Sequence, residues 1–181
     1  GELLPARAVI GCPKEKREAW FGRAWSEALL AGLAHLWGPK LLMQTLGDKD
    51  LRVSLAAVEV LGEMGPESLS LLVQVLADER DSIRREAAET LGRMGPEAKE
   101  AVPALIQSLL GDKEFTVRER AAEALGRMGP EAKEAIPALI QALRDEEYMV
   151  QYYAAGALRA ITGQGIGTDA DRWEQWWKEQ Q

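Results

Sequence analysis

The sequence predicts an all-α protein, a right-handed α-solenoid of about four stacked helix pairs with a helical cap at each end. The first observation is a repeat: LGRMGPEAKEAVPALIQSL, which begins at residue 91, returns at residue 125 as LGRMGPEAKEAIPALIQAL. A looser copy, LGEMGPESLSLLVQVL, begins at residue 61. A further observation is that apolar residues within each copy recur at helical spacing. Repetition of helical segments at a period of about 30–35 residues is typical of a stacked array.

Each unit consists of a first helix, a turn that contains an aspartate, and a second helix. First helices are predicted at 40–46, 67–77, 97–110 and 131–144, and second helices at 50–63, 81–93, 114–127 and 147–161. Gly-Pro pairs at 65–66, 95–96 and 129–130 separate the units, because glycine can end a helix with a positive φ and proline favours a first turn. Pro103 and Pro137 should kink or restart their helices. The turn aspartates, which we expect to cap the second helices, are Asp48, Asp78, Asp112 and Asp145.

Aligned second helices share a stripe of apolar residues at spacings of four, four and three. Such spacing places the residues on one helical face, and alanine in the middle allows neighbouring helices to approach closely. The predicted core columns are Val53, Ile83, Val117 and Val150; Ala57, Ala87, Ala121 and Ala154; Leu61, Leu91, Leu125 and Leu158; and Met64, Met94, Met128 and Ile161.

The chain divides into three segments of one structural domain. Residues 1–38 are predicted to form an N-terminal helical cap, with an exposed Trp20/Trp25 docking patch as the alternative. Residues 39–163 form the repeat array, and residues 164–181 form a C-terminal capping helix over about 169–179. Thr168 followed by Asp171 resembles a capping box for that last helix. Its tryptophans, Trp173, Trp176 and Trp177, share one face and should bury the open edge of the last unit.

The composition excludes several classes of function. The net charge of −7, from 29 acidic against 22 basic residues, disfavours nucleic acid as a partner. No apolar run is long enough to span a membrane. With one cysteine, Cys12, and one histidine, His35, we expect no metal site and no cofactor. We expect a cytoplasmic protein that is a monomer on its own.

The second helices resemble a known repeat family. The segments IRREAAETLGRMG at residues 83–95 and VRERAAEALGRMG at residues 117–129 are similar to the short HEAT repeats related to those of phycobilin lyases. The resemblance covers residues 39–163 and implies HEAT-like helix pairs. Arg84 and Arg118 match the arginine of the family's Val-Arg pair, whereas Ser54 and Gln151 occupy that position in the outer units.

The variable positions of the second helices predict a binding surface on the concave face. The first unit is acidic beside an apolar residue, and the last unit replaces the charges with tyrosines, which are frequent at binding hot spots. The predicted partner-binding residues are Leu55, Glu59, Glu63, Arg85, Glu89, Glu119, Glu123, Tyr148, Tyr152 and Tyr153. The alternative for the tyrosines is that they pack against the C-terminal tryptophan helix.

The glutamate column of residues 59, 89 and 123 does not predict catalysis. Packed helices lie about 8–10 Å apart, so two such carboxylates repel by only about 0.4 kcal/mol in water. Glu89 with Arg93, and Glu123 with Arg127, also form favourable i,i+4 pairs. We therefore predict a protein with no catalytic residues that binds a protein or peptide.

Three alternatives remain open from the sequence. The resemblance to phycobilin lyase repeats implies a bilin lyase or chromophore-maturation subunit. A HEAT-like DNA-binding or DNA-repair protein would need a basic concave face, and this face is mixed to acidic. The near-identity of two units is also compatible with a consensus design or a recent duplication, although the irregular ends favour a natural protein.

Overall fold

The computed structural model describes Met43 and residues 45–181, and the ordered elements in this part of the chain are all helical. This confirms the all-α prediction. The α-helices are α1 Leu51–Glu63, α2 Leu69–Val75, α3 Asp81–Met94, α4 Val102–Gly111, α5 Phe115–Met128, α6 Ile136–Ala142, α7 Tyr148–Thr162 and α8 Ala170–Glu179. The predicted N-terminal cap, its Trp20/Trp25 alternative, Cys12, His35 and most of the first predicted helix lie outside the described residues.

The first helices are shorter than predicted, because each begins as a 3₁₀ segment. These segments span Gly65–Ser68, Gly95–Ala101 and Gly129–Ala135. Ala98 leaves the helical region at φ −93° and ψ 19°, and Ala132 does so at φ −96° and ψ 26°. The helices α4 and α6 start one residue before Pro103 and Pro137, respectively. Proline, which has no N–H, is tolerated in the first turn of a helix. The predicted helix starts at 97 and 131 were therefore wrong.

The second helices α1, α3, α5 and α7 form one layer of the array and bury the predicted stripe. The valine/isoleucine, alanine and leucine columns are all buried, and Met128 and Ile161 complete them. Met64 and Met94 are only partly buried, but both pack against the core. The glycines of the three Gly-Pro pairs have positive φ values, as predicted: 71° at Gly65, 60° at Gly95 and 59° at Gly129. Gly163, which ends the last second helix, also has a positive φ of 77°.

Buried ion pairs join neighbouring units. The Arg84 guanidinium donates to both carboxylate oxygens of Asp112 in the next unit, at 2.6 and 2.8 Å. Its remaining terminal nitrogen donates to the carbonyl oxygens of Asp78 and Glu79 in its own turn. Arg118 repeats the arrangement with Asp145, at 2.8 and 2.9 Å. One arginine therefore fixes its own turn and the next unit together.

The outer units keep this bonding with other side chains. In the first unit, where Ser54 replaces the arginine, Arg80 of the next unit donates to the carbonyl oxygens of Leu46 and Asp48 and to the Ser54 hydroxyl. In the last unit the Gln151 side chain donates to the Asp145 carbonyl at 2.7 Å. The turn therefore has a side-chain donor in every described unit.

The turn aspartates do not cap the second helices directly. Asp78 Oδ1 accepts from the backbone N–H of Arg80, and Asp112 Oδ1 accepts from that of Glu114, each at 2.9 Å. These N–H groups belong to the N-cap residues of α3 and α5. The aspartates therefore hold an Asx turn that leads into each helix.

Glycines set the closest approach between second helices. A Cβ placed on Gly92 would lie 3.0 Å from the Ala124 Cα, and one on Gly126 would lie 3.0 Å from the Ala157 Cα. Residues 92 and 126, which face the next second helix, must therefore be glycine, and the residue opposite each of them must be small.

Replacing Gly126 by leucine is expected to lower the free energy of unfolding by about 3 kcal/mol, because the new side chain meets the α7 backbone. The matched control is Gly156→Leu on α7, where an added Cβ meets nothing within 4 Å. There we expect about 0.5–1 kcal/mol of stabilisation, since glycine is a poor helix former. Urea titration of both variants measures the difference in stability. Equal unfolding midpoints would contradict the conclusion that position 126 has no room for a side chain.

The C-terminal helix α8 covers the first-helix layer of the last unit. Trp173 is fully buried, its indole Nε1 donates to the Gly167 carbonyl at 2.8 Å, and α8 contacts α6. Asp169 is the N-cap residue and accepts from the backbone N–H of Arg172. The predicted capping box of Thr168 and Asp171 was therefore wrong by one position. Across the described residues, no helix combines the length and the apolar character that a membrane span requires.

Candidate interaction surface on the second helices

The solvent-facing stripe of the second helices, here called the second-helix face, lies between the two sides that contact neighbouring units. On α5, Gly126 faces the next unit and Ala124 faces the previous one. Helical spacing then places residues 120, 123 and 127 on the side exposed to solvent. The second-helix face consists of Ala56, Glu59, Glu63, Glu86, Glu89, Arg93, Arg120, Glu123, Arg127, Tyr153, Gly156 and Ala160.

Charges on the middle of this face neutralise one another. Arg127 pairs with Glu123 at 2.7 Å and Arg93 with Glu89 at 3.3 Å, which confirms the two predicted i,i+4 pairs. Arg120 bonds Glu123 at 2.6 Å and reaches across to Glu89 at 3.7 Å. Two helices are thereby linked by one guanidinium, and the glutamate column is a paired network at its centre.

Glu86 is the acid on this face whose pKa is raised. Its burial is the main cause, and the carboxylates of Glu89 and Glu59 add to it, while Arg93 opposes the shift from 3.4 Å. A raised carboxyl pKa can mark a functional acid. Here burial, with the nearby carboxylates of Glu89 and Glu59, accounts for the raised pKa, and the Glu86 carboxylate is already paired with Arg93.

A groove of about 670 Å³ lies between the carboxyl ends of α1 and α3. Its lining residues are Glu59, Gly62, Glu63, Gly65, Thr90, Arg93, Met94 and Glu97. Three of them are glutamates, whereas the single cation, Arg93, is already engaged by Glu86 and Glu89. Neither Glu59 nor Glu63 has an ion-pair partner among the described residues.

The helix termini reinforce the negative charge of this groove. The last turn of α1 contains no basic residue, whereas the last turns of α3, α5 and α7 contain Arg93, Arg127 and Arg159. A helix carboxyl end carries partial negative charge, which in α1 is not offset. The groove is therefore suited to a cationic group.

Thr90 explains why the groove opens between the first two described second helices. It occupies the position that Ala124 and Ala157 hold in the next units. A Cβ on Gly62 would be 2.5 Å from the Thr90 Cγ2 and 3.9 Å from the Thr90 Cβ, whereas one on Gly92 would be 3.1 Å from the Ala124 Cβ. The bulkier threonine holds α1 farther from α3. Sequence reasoning missed Thr90 and Glu97, although a threonine in an alanine column was a visible signal.

The structure divides the predicted binding residues between two surfaces. Glu59, Glu63, Glu89, Glu123 and Tyr153 lie on the second-helix face. The others, Leu55, Arg85, Glu119, Tyr148 and Tyr152, lie on the side of each helix that faces the next unit, by their spacing from Gly62, Gly92 and Gly126 and the matching column of α7. Leu55 accordingly packs against the core.

The tyrosine rings contact one another, and among the described residues no ring contact joins them to the tryptophans of α8. The rings of Tyr152 and Tyr153 meet edge to face with centroids 5.5 Å apart, and Tyr148 lies 6.5 Å from Tyr152. Aromatic contacts of α8 are instead among its own tryptophans. Tyr148 is 66% exposed and Tyr152 56% exposed, so the alternative that these two are covered by the cap is wrong.

Within the described residues, no three histidine, cysteine, aspartate or glutamate side chains converge as a metal site would require.

The repeats match two known family models. A family model described as HEAT repeats matches residues 28–92 and 102–170, and a second model, PBS lyase HEAT-like repeat, matches residues 83–111. No curated protein sequence matches the chain.

Three solved structures share the fold. The complex of CpcE and CpcF of phycocyanin lyase from Nostoc sp. PCC7120 is 21% identical, with 83% of this chain and 98% of that chain covered and a TM-score of 0.58. One engineered protein is 20% identical over 96% of this chain and 90% of its own, with a TM-score of 0.55. Another is 22% identical over 86% and 69%, with a TM-score of 0.53. At these identities the likeness concerns the fold alone.

Proposed function

This chain belongs to the HEAT-repeat family, and we propose that it is a non-catalytic scaffold that binds a protein or peptide on its second-helix face. The observation that carries the proposal is the groove of about 670 Å³ between α1 and α3. It is lined by Glu59 and Glu63, which have no ion-pair partner within the part of the chain that the structure describes. We further propose that the bound segment inserts a lysine or arginine side chain there.

The contrast between core and face supports this proposal. The buried alanine and leucine columns are constant in every described unit, whereas the second-helix face changes from acidic to neutralised to aromatic along the array. Packing explains the constant columns, and stability does not require the variation on the face. Unit-to-unit variation on the exposed side of a solenoid is the usual means by which such arrays recognise extended partners.

The chemistry of the face favours binding over catalysis. Its arginines are held by carboxylates on the same or the next helix, and its carboxylates are exposed or paired. Buried side-chain polar atoms of the described residues all have hydrogen-bond partners. The face therefore offers charge and shape to a partner, with affinity concentrated where a charge is unpaired.

Selection of random dodecapeptides displayed on phage provides a test that needs no known partner. We expect the selected peptides to be enriched in lysine and arginine and to bind with micromolar affinity in fluorescence polarisation. The double variant Glu59→Lys, Glu63→Lys should weaken that binding at least about 10-fold, because two attractive contacts become repulsive.

The matched control carries the same charge change on the other layer. Glu100 and Glu134 are exposed glutamates of the 3₁₀ segments, so Glu100→Lys with Glu134→Lys should leave affinity within about twofold at moderate salt. An equal loss of peptide affinity in both double variants would show that the change in net charge alone causes the effect. Peptides without basic residues, or binding indifferent to both variants, would refute the groove as the site.

A further inference from the structure

A guanidinium bridges two glutamates of the second-helix face at the junction of α3 and α5. Arg120 donates to Glu123 on its own helix at 2.6 Å, and its Nε lies 3.7 Å from the carboxylate of Glu89 on the preceding helix. The Arg120 side chain is 28% exposed, so the bridge lies partly out of water. This junction shows how the glutamate column of residues 59, 89 and 123 is joined from one second helix to the next.

The junction of α1 and α3 has the same glutamate column but an acid in place of the bridging arginine. Glu86 occupies on α3 the position that Arg120 holds on α5. Its side chain is only 17% exposed, and burial raises its pKa, to which the carboxylates of Glu89 and Glu59 add. On the second-helix face of these two described helices, three neighbouring carboxylates therefore share Arg93 as their cation.

The contacts of Arg93 all lie within α3. Its guanidinium pairs with Glu86 at 3.4 Å and with Glu89 at 3.3 Å, and it donates to the Thr90 hydroxyl at 2.7 Å. Glu59 on α1 has no ion-pair partner within the described chain, and it also lines the groove. The excess negative charge of the junction is therefore accessible to whatever enters the groove.

We propose that the partner bound in this groove inserts an arginine side chain, whose guanidinium lies between Glu59 and Glu86 as that of Arg120 lies between Glu89 and Glu123. The inference rests on the proposed function, because it names the side chain through which the same groove recognises its partner. The partner thus supplies the cation that α5 supplies for itself at the next junction.

The geometry of the junction favours arginine over lysine. A guanidinium is planar and has five donors in a fixed fork, so it can serve carboxylates on two helices at once, whereas an ammonium is a compact and strongly hydrated charge. The array makes the same choice where it joins its units, with Arg84 bonded to Asp112 and Arg118 bonded to Asp145.

NMR titration of the full chain with two blocked amino acids tests the inference without a known partner. Nα-acetyl-arginine amide should shift the backbone amide resonances of Glu59, Gly62 and Thr90 with a Kd in the millimolar range. Nα-acetyl-lysine amide should bind at least about fivefold more weakly at the same ionic strength, because it cannot bridge two carboxylates. Shifts that are absent with the arginine derivative, or equal affinities for the two derivatives, would overturn the inference.

Glu86→Arg should close the site from within. The variant gives α3 the arginine, glutamate and arginine that α5 has at residues 120, 123 and 127. The new side chain should raise the Kd of the arginine derivative at least about 10-fold, because it takes the place of the ligand. It should also raise the Tm by about 2–4 °C, because a cation replaces an acid among acids. Unchanged binding of the arginine derivative to this variant would contradict the proposed position.

Glu100→Arg is the matched control, with the same charge change at an exposed residue of the 3₁₀ segment. Its Kd for the arginine derivative should stay within about twofold of the wild type. Failure of this inference is distinct from failure of the proposed function. Phage-selected peptides that bind equally well through lysine would overturn the arginine site alone. Specific binding of the arginine derivative with no selected peptide would support the arginine site and count against the peptide-binding role.

Discussion

Replacing Arg84 by methionine is expected to lower the free energy of unfolding by about 3–5 kcal/mol, one of the two largest effects we foresee for a single substitution. The Arg84 side chain is 9% exposed and that of Asp112 is 7% exposed, so the pair lies out of water. Methionine has a similar length but no donors. The Asp112 carboxylate would then be buried without its partner, and breaking a buried pair on one side costs this much.

The matched control is Arg93→Met, which removes the same chemistry at a more exposed position. Arg93 is 43% exposed and its pairs with Glu86 and Glu89 are longer, at 3.4 and 3.3 Å. Exposed pairs contribute at most about 1 kcal/mol. Chemical denaturation of both variants measures the difference. Similar losses at the two arginines would mean that burial does not set the contribution of the ion pair.

The pH dependence of the Arg84→Met effect provides a second readout. Burial acts to raise the pKa of Asp112, but hydrogen bonds from Arg84 and from the backbone N–H of Glu114 outweigh it, so this pKa lies below its ordinary value. A lowered carboxyl pKa stabilises the fold above the unfolded pKa, and that contribution is lost as pH falls through the folded pKa. The stability gap between wild type and variant should therefore be full at neutral pH and narrow below about pH 4.

Replacing Trp173 by alanine is expected to release α8 from the array and to cost about 3–5 kcal/mol. The indole is fully buried, and its N–H is bonded to the Gly167 carbonyl. The ion pairs of Arg144 with Asp171 and Glu174 also join α8 to the last unit, but they are exposed and cannot compensate. We expect lost helical circular dichroism, and faster amide exchange over residues 170–179 and in α6.

Trp176→Ala is the control for this substitution. Trp176 is half-buried and meets Trp173 edge to face with centroids 5.5 Å apart. Its loss should cost about half as much, since less apolar surface leaves the core. Amide exchange in α3 should be nearly unchanged in both variants, because each unit of a solenoid contacts only its neighbours. Equal loosening of α3 would mean that the array unfolds as one cooperative block.

Several local features could be predicted from the sequence because each has a local cause. The buried alanine and leucine columns follow from helical spacing, and Gly65, Gly95 and Gly129 end their units at positive φ as glycine allows. The i,i+4 pairs of the middle units also follow from spacing within one helix. Errors occurred where two local rules competed. The start of α4, for instance, was set by Pro103 and not by the Gly-Pro pair before it.

The candidate site was less predictable, because its geometry arises between units. The acidity of Glu59 and Glu63 was visible in the sequence, but the groove depends on Thr90, which separates α1 from α3. Similarly, Leu55, Arg85 and Tyr152 share an alignment column, yet the column faces the next unit. An alignment column groups equivalent residues, but it does not show which neighbouring helix those residues contact.

The sequence by itself determined the repeat, the helix pairs and the core, since these depend on spacing within single helices. It also determined that the second-helix face is acidic at α1 and aromatic at α7. Only the tertiary structure decided that Arg84 and Arg118 bond to the next unit, that Arg80 replaces the missing arginine beside Ser54, and that α8 packs against α6. The physical reason is that these contacts join residues far apart in the chain. Their distances depend on how closely one unit packs on the next.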